Sequence, residues 1–215
     1  MRSRRNCLLS GICGISGVLL LGLSFAINNG PPAEAGDAQL LEFARHNYAS
    51  VLWGAWLQAV GPALIVLFAF SLVHMAGAQS RLSGWMTFFG ATCLMTVSLI
   101  EITFYIGALH QHPPAMGALS LGMISAVQHL YFVIAAPAVF LPLGIILRGS
   151  DVLPKLFGSL AIALAILFFL VGAMYMPTLT LPDPVTALGA VQAVWWLAAA
   201  VALILRAPYS GRSPQ

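Results

Sequence analysis

The 215-residue chain is predicted to be an all-α polytopic membrane protein: a bundle of six transmembrane helices with both termini on the cytoplasmic side. Three observations predict this. Hydrophobic residues make up 60% of the chain and charged residues only 7%, where a soluble domain carries about a quarter charged residues. Apolar runs, uncharged apart from Glu101 in the third, recur six times, each of about the 20 residues needed to cross a hydrocarbon core of about 30 Å. The basic residues fall almost entirely on one side of the resulting zigzag, as retention of Lys and Arg in the cytoplasm requires. Nine Lys+Arg and six Asp+Glu cannot clothe a water-soluble core of this size, which excludes a soluble enzyme, a nucleic-acid binder and a disordered tail.

The first run, Cys7 to Ile27, follows Arg2, Arg4 and Arg5. Its basic start and the Ala33-Glu34-Ala35 that follows resemble a secretory signal with a small-residue cleavage site. The run is longer than a signal core, and Ser10, Gly11, Gly14 and Gly22 are small residues that let a helix pack closely, so the expectation is a retained helix. Asn28 to Val51 carries Pro31, Pro32, Glu34, Asp37, Glu42 and Arg45 and reads as a water-exposed outer loop. The second run is Leu52 to Ala76 and the third Trp85 to Leu109, with Arg81 between them. The fourth, Met123 to Leu147, and the fifth, Leu156 to Met176, are separated by Arg148 and Lys155. The sixth, Pro184 to Leu205, precedes Arg206 and Arg212, so eight of the nine basic residues share one side and only Arg45 lies opposite. Residues 1–215 thus form one integral-membrane domain, expected in the cytoplasmic (inner) membrane. Cys7, Cys13 and Cys93 map to the inner half or its edge without metal-knuckle spacing, and are read as packing residues rather than a disulfide framework.

Polar side chains inside membrane helices are expensive and turn toward the bundle interior. Counted at about 1.5 Å per residue, Gln58, Glu101, His129 and Gln192 fall roughly 9 to 12 Å below the outer surface, one on each of four helices. Ser98, Glu101 and Tyr105 repeat at i, i+3 and i+7, a single helix face, and Ser125 and His129 are four apart. Pro62 lacks an N–H, so the carbonyl of Gln58 loses its helical donor and becomes an additional ligand. Glu101, His129, Gln58, Tyr105 and Gln192 are therefore the candidate ligand-binding residues. Trp53 and Trp56, with Trp195 and Trp196 on the last helix, are read as interface anchors, cavity walls or lipid-facing bulk.

The outer loop His110-Gln111-His112-Pro113-Pro114 adds two imidazoles, which the prolines bias to an extended chain. Histidine nitrogens and a carboxylate suit zinc, copper or iron, so His110, His112, His129 and Glu101 form a candidate transition-metal set. Each feature also has a plainer reading. Glu101 is equally an acid hydrogen-bonded to Gln58 or His129 to specify packing, His129 an interhelical donor, the glutamines helix bridges and the His-x-His a polar turn. No phosphate-binding loop, HExxH, GxSxG or CxxC occurs.

The second half, with Gln128-His129, then Leu143-Gly144-Ile145-Ile146-Leu147-Arg148-Gly149-Ser150, Val152-Leu153-Pro154-Lys155 and Phe157-Gly158, resembles a bacterial six-helix integral-membrane family catalogued as a domain of unknown function. That resemblance implies a bacterial cytoplasmic-membrane location and no assigned reaction. Three functions fit the sequence. The first is a small-ligand or cofactor site in the outer half of the bundle, for metal, haem or quinone. The second is a proton-coupled transporter in which Glu101 changes protonation and Ser71, Thr92, Thr96 and His74 supply the path inward. The third is a sensor or accessory subunit acting through a membrane-protein partner or a second copy.

Overall fold

Long apolar runs become helices in a bilayer because every backbone N–H and C=O must be satisfied within its own segment. The computed structural model describes residues 4–28, 37–110, 114–175 and 183–207, and among them every regular element is helical. In chain order these are α1 (Arg4–Ile27), α2 (Asp37–Met75), α3 (Leu82–His110), α4 (Pro114–Leu130), a π segment (Tyr131–Ala135), α5 (Ala136–Arg148), α6 (Lys155–Tyr175) and α7 (Asp183–Leu205). Six stretches are long and apolar enough to cross a membrane, with α4, the π segment and α5 forming one continuous fourth span. The protein is a multi-pass membrane helix bundle.

The expected outer loop, residues 28–51, is helical from Asp37 onward. Polar residues mark exposure there, but Leu40, Leu41, Glu42 and Ala44 are good helix formers. At 39 residues, α2 is roughly 58 Å long, about twice a hydrocarbon core, so its first turns stand outside the bilayer. Pro114 likewise opens α4 rather than extending a loop, a favoured position because the missing N–H would have no helical partner.

The α2–α3 connection shows how a short turn is enforced. Gly77 has φ 62°; its N–H donates to His74 O (2.9 Å) and the N–H of Ala78 to Val73 O (3.1 Å). These are the paired bonds that cap a helix through a left-handed glycine. Successive spans are neighbours, and α7 returns to pack on α1, closing the ring. Close approach depends on glycine. A Cβ on Gly17 would lie 2.8 Å from Gly61 O across the α1–α2 contact, and one on Gly144 would lie 2.7 Å from Gly158 O across α5–α6. Gly11 and Gly14 abut Ile204, Ala200 and Phe68, as small-residue packing of α1 predicts, whereas Gly22 faces nothing within 4 Å.

The apolar core occupies the half of the bundle nearest the basic end. Phe68, Leu72, Phe140, Leu143, Phe168, Trp196 and Leu203 interlock there, sealed by Val152 and Leu153 of the α5–α6 loop. Trp195 and Trp196 are core residues, with Trp195 Nε1 donating to Phe157 O at 3.1 Å. Trp53 and Trp56 instead face outward and meet edge to face. The three cysteines are free thiols.

Candidate functional site

The opposite half of the bundle holds the polar residues. α3 presents Ser98 and Glu101, both buried, from one face. One carboxylate oxygen of Glu101 accepts from Gln58 Nε2 on α2 at 2.7 Å, and the other accepts from Gln128 Nε2 on α4 at 2.6 Å. Two carboxamides from two different helices thus hold one carboxyl group, each donating an N–H to its own oxygen. The helix-internal Pro62 supplies the third connection. The Gln58 carbonyl that it deprives of a helical donor accepts from Ser98 Oγ at 2.9 Å, joining side chain and backbone of Gln58 to α3 at adjacent points.

A second polar pair lies one turn along. Tyr131, the first residue of the π segment, donates its hydroxyl to Gln192 Oε1 of α7 at 2.5 Å. The π segment arises directly before Pro137, and its closing bond runs from the Ala136 N–H to Tyr131 O, five residues back. A proline four residues after Val133 removes that carbonyl's helical donor and displaces it, a common origin of a local widening. π segments add one residue to a turn and often mark functional sites.

The belt expected from depth is therefore partly one cluster and partly two. Gln58, Ser98 and Glu101 meet directly, whereas Gln192 pairs with Tyr131. Tyr105 is half-buried, one turn beyond Glu101 on α3, and His129 is buried beside Gln128 on α4. Gln128 and Tyr131 do not emerge from the depth comparison, although both carry polar groups within one turn of His129; depth alone does not say which of several adjacent residues faces the interior.

The metal set is only partly within view. The side chain of His110 and the whole of His112 lie outside the described residues, as does the side chain of Ser125. Among the described residues no three His, Cys, Asp or Glu side chains come together as a metal-holding group. His46 is exposed on the projecting part of α2, with Nδ1 3.0 Å from Glu42 O, and is roughly 18 Å along the helix from Gln58. The residues expected to form an inward path do not line one. Ser71 and Thr92 bond carbonyls of their own helices, Leu67 O and Phe88 O, and Thr92, Thr96 and His74 are exposed on the bundle surface.

No known protein family, curated protein or solved structure matches the chain. Fold and site together define a multi-pass membrane protein with a hydrogen-bonded carboxyl group inside the helix bundle.

Proposed function

We propose that this membrane protein binds a small polar ligand at Glu101, in the outer half of the bundle, with N- and C-termini in the cytoplasm and the bilayer being a bacterial inner membrane. The single observation behind this reading is the Glu101 clamp. A carboxyl group 7% exposed, held by amides from two other helices, costs far more than an apolar side chain at the same place. Packing alone does not require it. Gln58, Gln128 and Ser98 orient the carboxyl group; Tyr105 follows one turn beyond it on α3, and His129 adjoins Gln128 on α4. The orientation rests on the basic residues at one end of the helices, and the bacterial location on the resemblance in the second half of the chain.

Proton-coupled transport across the whole bundle has weaker support. Below the cluster Phe68, Phe140, Phe168 and Trp196 are all at most 1% exposed, a dense apolar plug where a path is needed.

Reaction with dicyclohexylcarbodiimide tests the reading. This apolar reagent partitions into membranes and modifies only a carboxyl group that takes up a proton and is reachable from within the bilayer. The expected result is one adduct in the membrane-embedded peptides, at Glu101, abolished by Glu101→Gln. A folded protein whose Glu101 stays unmodified would show a sealed structural acid and refute the proposed site.

A further inference from the structure

We infer that the lipid-facing surface of the α5–α6 hairpin, at the basic end of the bundle, binds an anionic phospholipid, with the phosphate held between Arg148 and Lys155. This surface lies away from Glu101 and does not depend on the function proposed there.

The hairpin is tight because two glycines meet. A Cβ on Gly144 would lie 2.7 Å from Gly158 O, and one on Gly158 would lie 2.6 Å from Arg148 Cγ and 2.7 Å from Arg148 N. The aliphatic stem of Arg148 is therefore laid across α6 at Gly158. The same contact sets the level of the two cations. Arg148 stands four residues past Gly144 and Lys155 three before Gly158, which places them about 6 Å and about 4.5 Å toward the basic end. They thus share one level on two touching helices. Both are exposed, and among the described residues neither forms an ion pair. Asp151 is the one acidic residue between them, so the turn keeps a positive balance of two cations against one carboxylate.

Each cation heads a lipid-facing lane. On α5, Leu141, Ile145 and Arg148 recur at i, i+4 and i+7, a single face, and all three are exposed. On α6, Lys155, Ile162 and Ile166 recur at i, i+7 and i+11, again a single face, with Ile162 half-buried and Ile166 exposed. Arg148 touches α6 at Gly158, and Ile162 Cγ1 would lie 2.7 Å from a Cβ on Gly144, so the two lanes border one seam. Along both, the order is a cation at the basic end and then branched aliphatic side chains toward the bilayer centre.

A diacyl phospholipid has that order of charge and shape: one phosphate, then two hydrocarbon chains. The flexible stems of Arg148 and Lys155 let their charged heads reach the headgroup level while the stems stay on apolar surface. Basic residues at the membrane surface attract anionic lipids, each changing binding about fivefold. A zwitterionic lipid gains less, because its own cation opposes the pair. Arg81 and Arg206 are exposed on other connections at the same end and serve as controls for charge alone.

Native mass spectrometry of the delipidated full-length protein in detergent, mixed with equimolar dioleoylphosphatidylglycerol and dioleoylphosphatidylcholine, reads which lipid binds first. The expected result is a preference of about tenfold or more for phosphatidylglycerol. Arg148→Gln and Lys155→Gln, which keep most of each stem, are each expected to reduce it about fivefold. Arg148→Lys, Arg81→Gln and Arg206→Gln are expected to bind like the parent. Equal binding of the two lipids, or the same loss in all four charge-removing variants, would overturn the site and leave only the general positive charge of this end. Glycerol 3-phosphate in large excess is expected not to displace the lipid, since it has no chains for the two lanes. Displacement by it would show a site for a soluble phosphate ester and refute the lipid assignment.

Discussion

Removing one arm of the Glu101 clamp gives the sharpest measure of what it contributes. Gln128→Leu leaves the carboxylate oxygen that now accepts at 2.6 Å without a donor, while the bond from Gln58 at 2.7 Å remains. A buried acceptor left unmade costs about 1–3 kcal/mol, and interhelical polar pairs measured inside membranes sit at about 0.6–1.7 kcal/mol. The burial of the Glu101 carboxyl places this pair at the upper end, so about 1.5 kcal/mol is expected, roughly a tenfold change in the folding equilibrium. In a Glu101→Leu background the same Gln128→Leu change is expected to cost less than about 0.5 kcal/mol, because nothing remains for the amide to satisfy. The coupling energy is then at least about 1 kcal/mol. Reversible unfolding in mixed micelles of increasing SDS content, followed by tryptophan fluorescence, gives all four stabilities. A coupling energy below about 0.5 kcal/mol would show that α4 does not hold the carboxylate.

Three further outcomes follow from named contacts. Ser98→Ala should cost about 1 kcal/mol in the parent but little in Pro62→Ala, because an alanine at 62 restores an N–H for the Gln58 carbonyl; the same unfolding assay reads both. Tyr131→Phe should cost about 1–2 kcal/mol by leaving Gln192 Oε1 without its donor, and equal stability of the two proteins would remove that bond from the account. Gly144→Val should destabilise by about 1–3 kcal/mol or more, since its Cβ meets backbone of α6 that cannot yield without parting the helices, whereas Gly22→Ala should be neutral; monodispersity and melting temperature in detergent separate the two.

Much of the site was legible before the helices were packed. Gln58, Glu101 and Ser98 could be brought together because depth follows from a fixed rise per residue, and a face follows from a fixed turn per residue. That the Gln58 carbonyl is freed was legible for a similar reason, since a proline removes one N–H at a known offset; its partner, the Ser98 hydroxyl rather than the bound ligand expected from sequence, came only with the packing. Gln192 failed the same reasoning because equal depth on two helices does not mean contact. The ring order places α7 against α1 and α6, away from α3, so Gln192 meets Tyr131 instead.

Gln128 shows where reading along the chain stops. In a straight α-helix counted back from Ala136, each residue turns about 100°, and His129 would occupy the angle that Gln128 holds. The π segment inserts one extra residue into that turn, rotates everything before it by about one residue, and gives Gln128 rather than His129 to the carboxylate. Pro137 follows that widening, and Gly172 of α6 packs against it at Phe132 and Val133, where a Cβ would sit 2.9 Å from Val133 Cγ2.

The sequence by itself determined that the chain carries six helices long and apolar enough to cross a membrane and that one of them contains a carboxyl group, because transfer to hydrocarbon is set locally by composition and length. Only the tertiary structure decided which polar residues meet that carboxyl group and which half of the bundle is closed by aromatic packing. Those outcomes depend on helix rotation and neighbour order, which inside a bilayer are set by close packing and hydrogen bonds between helices rather than by any property of one helix alone.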